Sequence, residues 1–166
     1  WMPVTVGRKY ASITTGKTSY PLHTVEGLPP TEWLCSPDGD LFFAENVEMP
    51  SLADFHADVM TICRQMQKDK LVDTVDDAEI VASVVTLYLT GEQLAEPDAD
   101  PIDRLELYFT SASCPGIRFH MMLLVYEEPI VYENEKGFAF STDTLLYCRG
   151  ENRYVDANSV LEAHAV

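Results

Sequence analysis

Carboxylates are the residues of this chain with the clearest capacity for chemistry, and they are concentrated in its middle. Of 166 residues, 27 are Asp or Glu and 11 are Lys or Arg, which gives a formal net charge of −16. Residues 71–135 hold 14 of the acidic residues and two arginines. A field of this sign attracts a positively charged partner and speeds encounter with it. We therefore predict an acidic face for partner binding, built from Asp73, Asp76, Asp77, Glu79, Glu92, Glu96, Asp98, Asp100, Asp103, Glu106, Glu127 and Glu128.

Four of these carboxylates lie close enough in the sequence to suggest a cation site: Asp98, Asp100, Asp103 and Glu106. Calcium takes roughly six to eight oxygen ligands from such clusters. The EF-hand spacing and its central glycine are absent here, so a solvated acidic loop is the favoured interpretation. We expect no metal and no cofactor, and a small metal-binding protein or enzyme is the third of three functional hypotheses.

A Cys–His enzyme is the other catalytic alternative, because Cys114 shortly precedes His120. A nucleophilic cysteine needs a partner base and electropositive surroundings, whereas the net charge here is strongly negative. The chain also lacks the Gly-x-Ser-x-Gly sequence of a serine nucleophile elbow. We therefore expect a protein that is not an enzyme.

The four cysteines indicate neither a zinc site nor a redox motif. Successive cysteines are 28, 51 and 34 residues apart, which is too far for either kind of motif. Their even number permits two disulfides, but a chain of this length does not need them. We expect reduced thiols in a cytoplasmic protein; the cysteines are Cys35, Cys63, Cys114 and Cys148.

Residues 11–18, Ala-Ser-Ile-Thr-Thr-Gly-Lys-Thr, resemble a relaxed phosphate-binding loop. That motif works only between a strand and a helix, because the amides at the helix N-terminus hold the phosphate. Pro21 and the prolines after it prevent a helix at this place. The sequence therefore favours a hairpin turn at Thr15-Gly16-Lys17 over a nucleotide site.

The elements that position these residues are predicted from hydrophobic periodicity. Residues 1–50 are rich in Pro and Gly and indicate irregular structure or short strands. Residues 51–70 have an apolar stripe at the helical period behind a possible cap at Ser51, which predicts a helix. A second helix is predicted to begin at a Thr74 cap and to end before Gly91, although the β-branched residues of Ile80–Leu89 leave a buried strand as the alternative.

The second half of the chain changes to a period of two, which is typical of strands. Together these patterns predict an α+β fold, with two helices packed on one face of an antiparallel meander sheet of about four or more strands. We expect one acidic domain over residues 1–166. It divides into irregular or short strands over 1–50, a helical part over 51–91 and an antiparallel sheet over 104–155.

Tyrosines recur at strand positions that alternate away from the apolar side of the predicted sheet. Tyrosine is favoured at interfaces because its ring buries area while its hydroxyl stays in water. The same residues could equally form a second packed layer, and both alternatives stay open. These residues are Tyr108, Tyr126, Tyr132, Tyr147 and Tyr154.

Several partner classes are disfavoured by composition. The longest apolar run, Ile80–Leu89, is far below the roughly 20 residues of a membrane span. No apolar stretch follows the first residues, so we expect no signal peptide. Direct binding to nucleic acid or to an anionic membrane needs a basic face.

The leading functional hypothesis is a non-enzymatic acidic module that binds the basic surface of another protein. A concrete form is an inhibitor that mimics the charge of nucleic acid and blocks a nuclease or another nucleic-acid-binding protein, of the phage anti-defence or immunity type. The alternative is a structural subunit of a larger complex or particle, and a homo-oligomer is compatible with either.

Overall fold

A computed structural model describes residues 4–64, 70–133 and 137–158. It corrects the predicted fold class. The chain is mostly β, with 51% of residues in strands and 12% in helices, and the described residues form two antiparallel sheets with one helix of seven or more residues. The arrangement of two helices packed on one face of a meander sheet is therefore wrong, because the described part of the first predicted helix is a single helical turn followed by a strand.

The first sheet is formed by residues that the sequence assigned to irregular structure or short strands. Its strands are β1 (Val6–Thr15), β2 (Thr18–Val25), β3 (Trp33–Cys35) and β4 (Leu41–Phe43), paired in that order. A turn at Gly16, whose φ of +64° favours glycine, joins β1 to β2. The hairpin turn predicted at this position is confirmed.

The predicted helix over residues 51–70 is wrong beyond its first turn. Helix α1 covers only Leu52–Phe55, with Ser51 as its N-cap, and His56 ends it in a left-handed conformation. The chain continues as β5 (Val59–Arg64), and residues 65–69 lie outside the described residues. The apolar stripe fits a helix, but β5 instead bonds to a strand on each side, which satisfies its backbone groups equally well.

Strand β6 (Lys70–Val75) leads into the one long helix of the described residues, α2 (Ala78–Thr90). A helix is therefore present where a buried strand was the alternative, and it ends before Gly91 as predicted. The predicted Thr74 cap is wrong, since Thr74 is paired within β6. Asp77 is the N-cap instead, and its carboxylate accepts from the amides of Glu79 and Ile80.

The second sheet has six strands in the order β10-β9-β8-β7-β5-β6. Its remaining strands are β7 (Asp103–Thr110), β8 (Phe119–Glu133), β9 (Ala139–Cys148) and β10 (Arg153–Asp156). Strand β8 runs through Pro129 because the register shifts there, between Val125 and Ile130, and a bulge needs no amide hydrogen at that position.

Helix α2 covers one side of this sheet, which we call the helix face. Val81, Val84 and Tyr88 of α2 pack on apolar residues of the strands, among them Leu107 and Met121. The opposite side, the loop face, is partly covered by the segment that follows α2. The strands therefore carry packed residues on both faces. Helix α2 and the segment after it determine which residues of the sheet remain exposed.

Two further findings bear on the expectations from composition. Among the described residues, no helix is both long enough and apolar enough to span a bilayer. All four cysteines lie in the described ranges; Cys35 and Cys63 are buried, and Cys114 and Cys148 are partly exposed.

Candidate functional site

The predicted acidic face is divided into three exposed groups by the fold. One group, the acidic edge, lies on edge strand β6 and the start of α2; the second, the acidic loop, lies within residues 91–102; the third is a pair on β8. Helix α2 separates the first two groups, and its 13 residues make it about 20 Å long. The acidic edge comprises Asp73, Asp76, Asp77 and Glu79, the acidic loop Glu92, Glu96, Asp98 and Asp100, and the β8 pair Glu127 and Glu128.

Two of the predicted face residues do not belong to an open acidic surface. Asp103 is half-buried and forms an ion pair with Arg64 at 2.7 Å. Glu106 is buried on the loop face and is bonded to His120. Each of these two carboxylates already has a partner within the chain, so neither belongs to the three exposed groups.

The Glu106–His120 pair lies in the interior of the six-stranded sheet, on β7 and β8. Only 5% of Glu106 is exposed, and the ring of Tyr108 stacks on the imidazole with centroids 5.0 Å apart. A carboxylate in this position fixes the orientation of the imidazole and determines which ring nitrogen can meet a further group. The pair could move a proton, but its burial makes it first a structural contact of the sheet.

The acidic loop is held against the loop face by a few contacts. The amide of Leu94 donates to the carbonyl of Tyr154 at 2.9 Å, and the Tyr132 hydroxyl donates to the carbonyl of Ala95 at 3.3 Å. The Leu94 side chain is buried among Leu124 and the tyrosine rings below it. These contacts fix the loop carboxylates above the sheet.

Between the acidic loop and the sheet lies a cavity of about 190 Å³, which we call the tyrosine cavity. Tyr147 and Tyr154 stack in its wall with ring centroids 4.4 Å apart. Arg104 contributes one positive charge to the wall against two carboxylates, so the negative charge is in excess. The lining residues are Glu96, Pro97, Ala99, Asp100, Pro101, Arg104, Met122, Leu124, Tyr126, Tyr147 and Tyr154.

Burial and neighbouring charge keep the hydroxyls of Tyr126 and Tyr154 protonated. Burial is the largest cause that raises the pKa of Tyr126 to about 12, with contributions from Tyr132, Asp100 and Glu96, while Arg104 lowers it. Burial likewise raises the pKa of Tyr154, and its neighbours Tyr147 and Glu96 add to the rise. At neutral pH the hydroxyls are uncharged, so the charge of the cavity wall comes from Glu96, Asp100 and Arg104.

The tyrosines of this cavity bear on both alternatives that the sequence left open, a packed second layer and an interface. Tyr126 and Tyr154 are a packed second layer, being 5% and 6% exposed, and they also line an opening beside exposed carboxylates. The sequence missed the role of Arg104 and the contact between the acidic loop and Tyr154. Both depend on a pairing between residues 94 and 154, which has no local signal in the sequence.

A second cavity, of about 360 Å³, lies between α2 and the helix face. Its walls are apolar apart from Asp73, so it offers few of the convergent polar groups that orient a ligand. The lining residues are Met60, Ile62, Asp73, Val75, Ile80, Val84, Leu107, Leu123, Leu146 and Ala157.

The structure also separates the four carboxylates that suggested a cation site. Asp98 and Asp100 stay exposed on the acidic loop, while Asp103 faces Arg64 and Glu106 faces His120. Over residues 4–64, 70–133 and 137–158, no group of three or more His, Cys, Asp or Glu side chains is arranged to hold a metal ion.

Comparisons with known proteins add no relative from which a role could be carried over to these residues. No family model matches the sequence, no curated protein matches it, and no solved structure matches the fold.

Proposed function

We propose that this chain is a non-enzymatic acidic protein-binding module whose acidic loop docks onto a basic surface of another protein. The observation that carries the proposal is the tyrosine cavity, where Glu96 and Asp100 stand beside aromatic rings at an opening. A partner surface that normally holds nucleic acid is rich in Lys and Arg, so a nuclease or another nucleic-acid-binding protein is the class of target. The module would act on such a target as an inhibitor, by occupying the surface that nucleic acid needs.

A cationic side chain is the chemistry that suits this cavity. The faces of aromatic rings attract Lys and Arg, and the attraction grows as water is excluded. Carboxylates at the rim add charge-assisted hydrogen bonds, and a guanidinium can bond two oxygens at once. An arginine from the partner would therefore enter between the acidic loop and the tyrosines, while the other exposed carboxylates speed encounter.

The proposal is tested by titrating the protein with a short arginine-rich peptide in a calorimeter. The variant Glu96→Gln/Asp100→Asn removes two charges at the cavity. The control Glu45→Gln/Glu48→Gln removes two exposed charges between β4 and α1. Both variants lose two negative charges, so the general electrostatic attraction to the peptide changes equally in both.

We expect the cavity variant to bind the peptide about tenfold more weakly than the control, because the cavity places two carboxylates beside aromatic rings at an opening. Equal affinity in the two variants would reduce the effect to net charge and would refute the cavity as the site. The same pair of variants, immobilised and exposed to a cell extract, tests the target class. A nucleic-acid-binding protein retained by the control, lost from the cavity variant and released by moderate salt supports it.

A second candidate function, the structural subunit, is favoured by a different observation. The hairpin β1–β2 carries Tyr10, Ile13 and Tyr20, which are 50%, 50% and 56% exposed. Apolar side chains left in water on one projecting element are typical of a surface that another chain covers.

A further inference from the structure

The hairpin formed by β1 and β2 extends beyond the sheet to which it belongs. Strand β3 pairs with β2 only at His23 and Thr24. The outer part, residues 8–22, is a two-stranded ribbon, which we call the arm, and residues 12–20 within it are all exposed. A two-stranded ribbon alone is marginally stable in water, so an arm of this length gains much from a surface that covers it.

The charge of the arm is opposite to that of the rest of the chain. Residues 8–22 contain Arg8, Lys9 and Lys17 and no Asp or Glu. All 27 acidic residues and only eight of the 11 basic residues lie elsewhere. The surface that best complements the arm is therefore negatively charged, and the chain itself supplies such a surface.

One side of the arm is apolar as well. Ile13 lies opposite Tyr20 in the register, and Ala11 lies opposite Leu22 on the same side. Register shifts in β1 on both sides of Lys9 disturb its outer edge, and bulges of this kind discourage pairing with a further strand. Recognition of the arm thus depends on its side chains, through both apolar contact and charge.

The acidic edge has the matching features. It lies on β6, the last strand of the six-stranded sheet, where Leu71 and Val72 are 57% and 53% exposed. Asp73, Asp76, Asp77 and Glu79 follow immediately and are exposed. Apolar side chains next to four carboxylates are the complement of an apolar, basic ribbon.

We propose that the arm of one copy docks on the acidic edge of a second copy of this chain. When each copy gives its arm to the other, the contact is made twice and the assembly closes as a two-fold dimer. Residues 12–20 of the arm are exposed within their own chain, and in this dimer the second copy covers them. This inference uses the acidic edge and leaves the tyrosine cavity free, so it stands or falls separately from the proposed function.

Charge reversal on the two surfaces tests the dimer. The arm variant is Lys9→Glu/Lys17→Glu, and the edge variant is Asp73→Lys/Asp76→Lys, which spares the Asp77 cap. In each variant the dissociation constant of the dimer should be at least about tenfold higher than in the wild type, because like charges now face each other. Sedimentation velocity over a concentration series measures the dissociation constant, and circular dichroism checks the fold of each variant.

Mixing the two variants gives the decisive readout. The reversed arm then meets the reversed edge, and the unaltered arm meets the unaltered edge, so both contacts of a mixed dimer are complementary. We expect a mixed dimer at concentrations where each variant alone is monomeric. The controls Arg149→Glu and Glu45→Lys/Glu48→Lys change exposed charges away from both surfaces and should dimerise as the wild type does.

Two results would overturn the inference. One is a wild-type chain that stays monomeric up to about 1 mM, since contacts that weak stabilise a dimer by only about 4 kcal/mol. The other is a mixture of the two folded variants that shows no association. In either case binding at the tyrosine cavity, measured with the arginine-rich peptide, is unaffected.

Discussion

Glu106 is an acidic residue that the fold buries, and its carboxylate has His120 as its partner. A buried carboxylate without a partner keeps the whole cost of leaving water. Alternation along β7 places Glu106 opposite to Leu105 and Leu107, which suggested a side open to solvent. The other side of this strand is covered too, because the neighbouring side chains of the loop face enclose it.

We expect His120→Ala to lower the free energy of unfolding by about 1–3 kcal/mol, because it leaves the Glu106 carboxylate unpaired. The double variant Glu106→Gln/His120→Ala should recover part of this loss, since an amide is cheaper to bury than a charge. Urea denaturation at neutral pH measures both. If the double variant is no more stable than the single one, burial of the unpaired carboxylate does not destabilise the protein.

At the scale of elements, the start of α2 depends on one side chain. The Asp77 carboxylate accepts from the amides of Glu79 and Ile80, at 2.9 and 3.3 Å. We expect Asp77→Ala to lower stability by about 1 kcal/mol through loss of this cap. Asp76 is exposed and precedes it directly, so Asp76→Ala removes the same charge without the cap and should stay within about 0.5 kcal/mol of the wild type. Thermal melts of the two variants measure this difference. Equal losses of stability in both would argue against the Asp77 cap.

The sequence predicted α2 better than α1 for a physical reason. In α2 the acidic residues at the start, the length of the segment and Gly91 after its end all indicate a helix, so signals within the segment suffice to predict it. After Phe55, the apolar stripe keeps the helical period, yet β5 is a strand because β6 and β7 offer it partners on both sides. Of the candidate site, the acidic loop and the tyrosines were visible in the sequence, whereas their contact through Leu94 was not, since it requires Tyr154.

At the scale of the whole molecule, the net charge of −16 acts against the compact state, because like charges are brought together on folding. Most of the acidic residues singled out above are exposed, so their mutual repulsion is open to screening by salt. The ion pair between Arg64 and Asp103 is partly exposed and offsets little of this repulsion.

We therefore expect the melting temperature to rise when NaCl is increased from about 0.02 M to about 0.5 M, where screening extends over only a few ångströms. The melts are recorded at a protein concentration low enough to keep the chain monomeric. The variant Glu127→Gln/Glu128→Gln, which removes two exposed charges from β8, should show a smaller rise. A melting temperature independent of salt would mean that repulsion does not limit stability.

The strand order of the six-stranded sheet also predicts an order of events in folding. Strands β7 to β10 are neighbours both along the chain and in space, so they can form as successive hairpins. Strand β5 pairs with β7 across α2 and the acidic loop, and closing so long a loop slows this step. The hairpin of β5 and β6 therefore joins late, and it carries Asp73 and the exposed Leu71 and Val72 with it. We therefore expect the acidic edge to be completed only as the chain reaches its native state, so that a newly made chain does not present this surface before then.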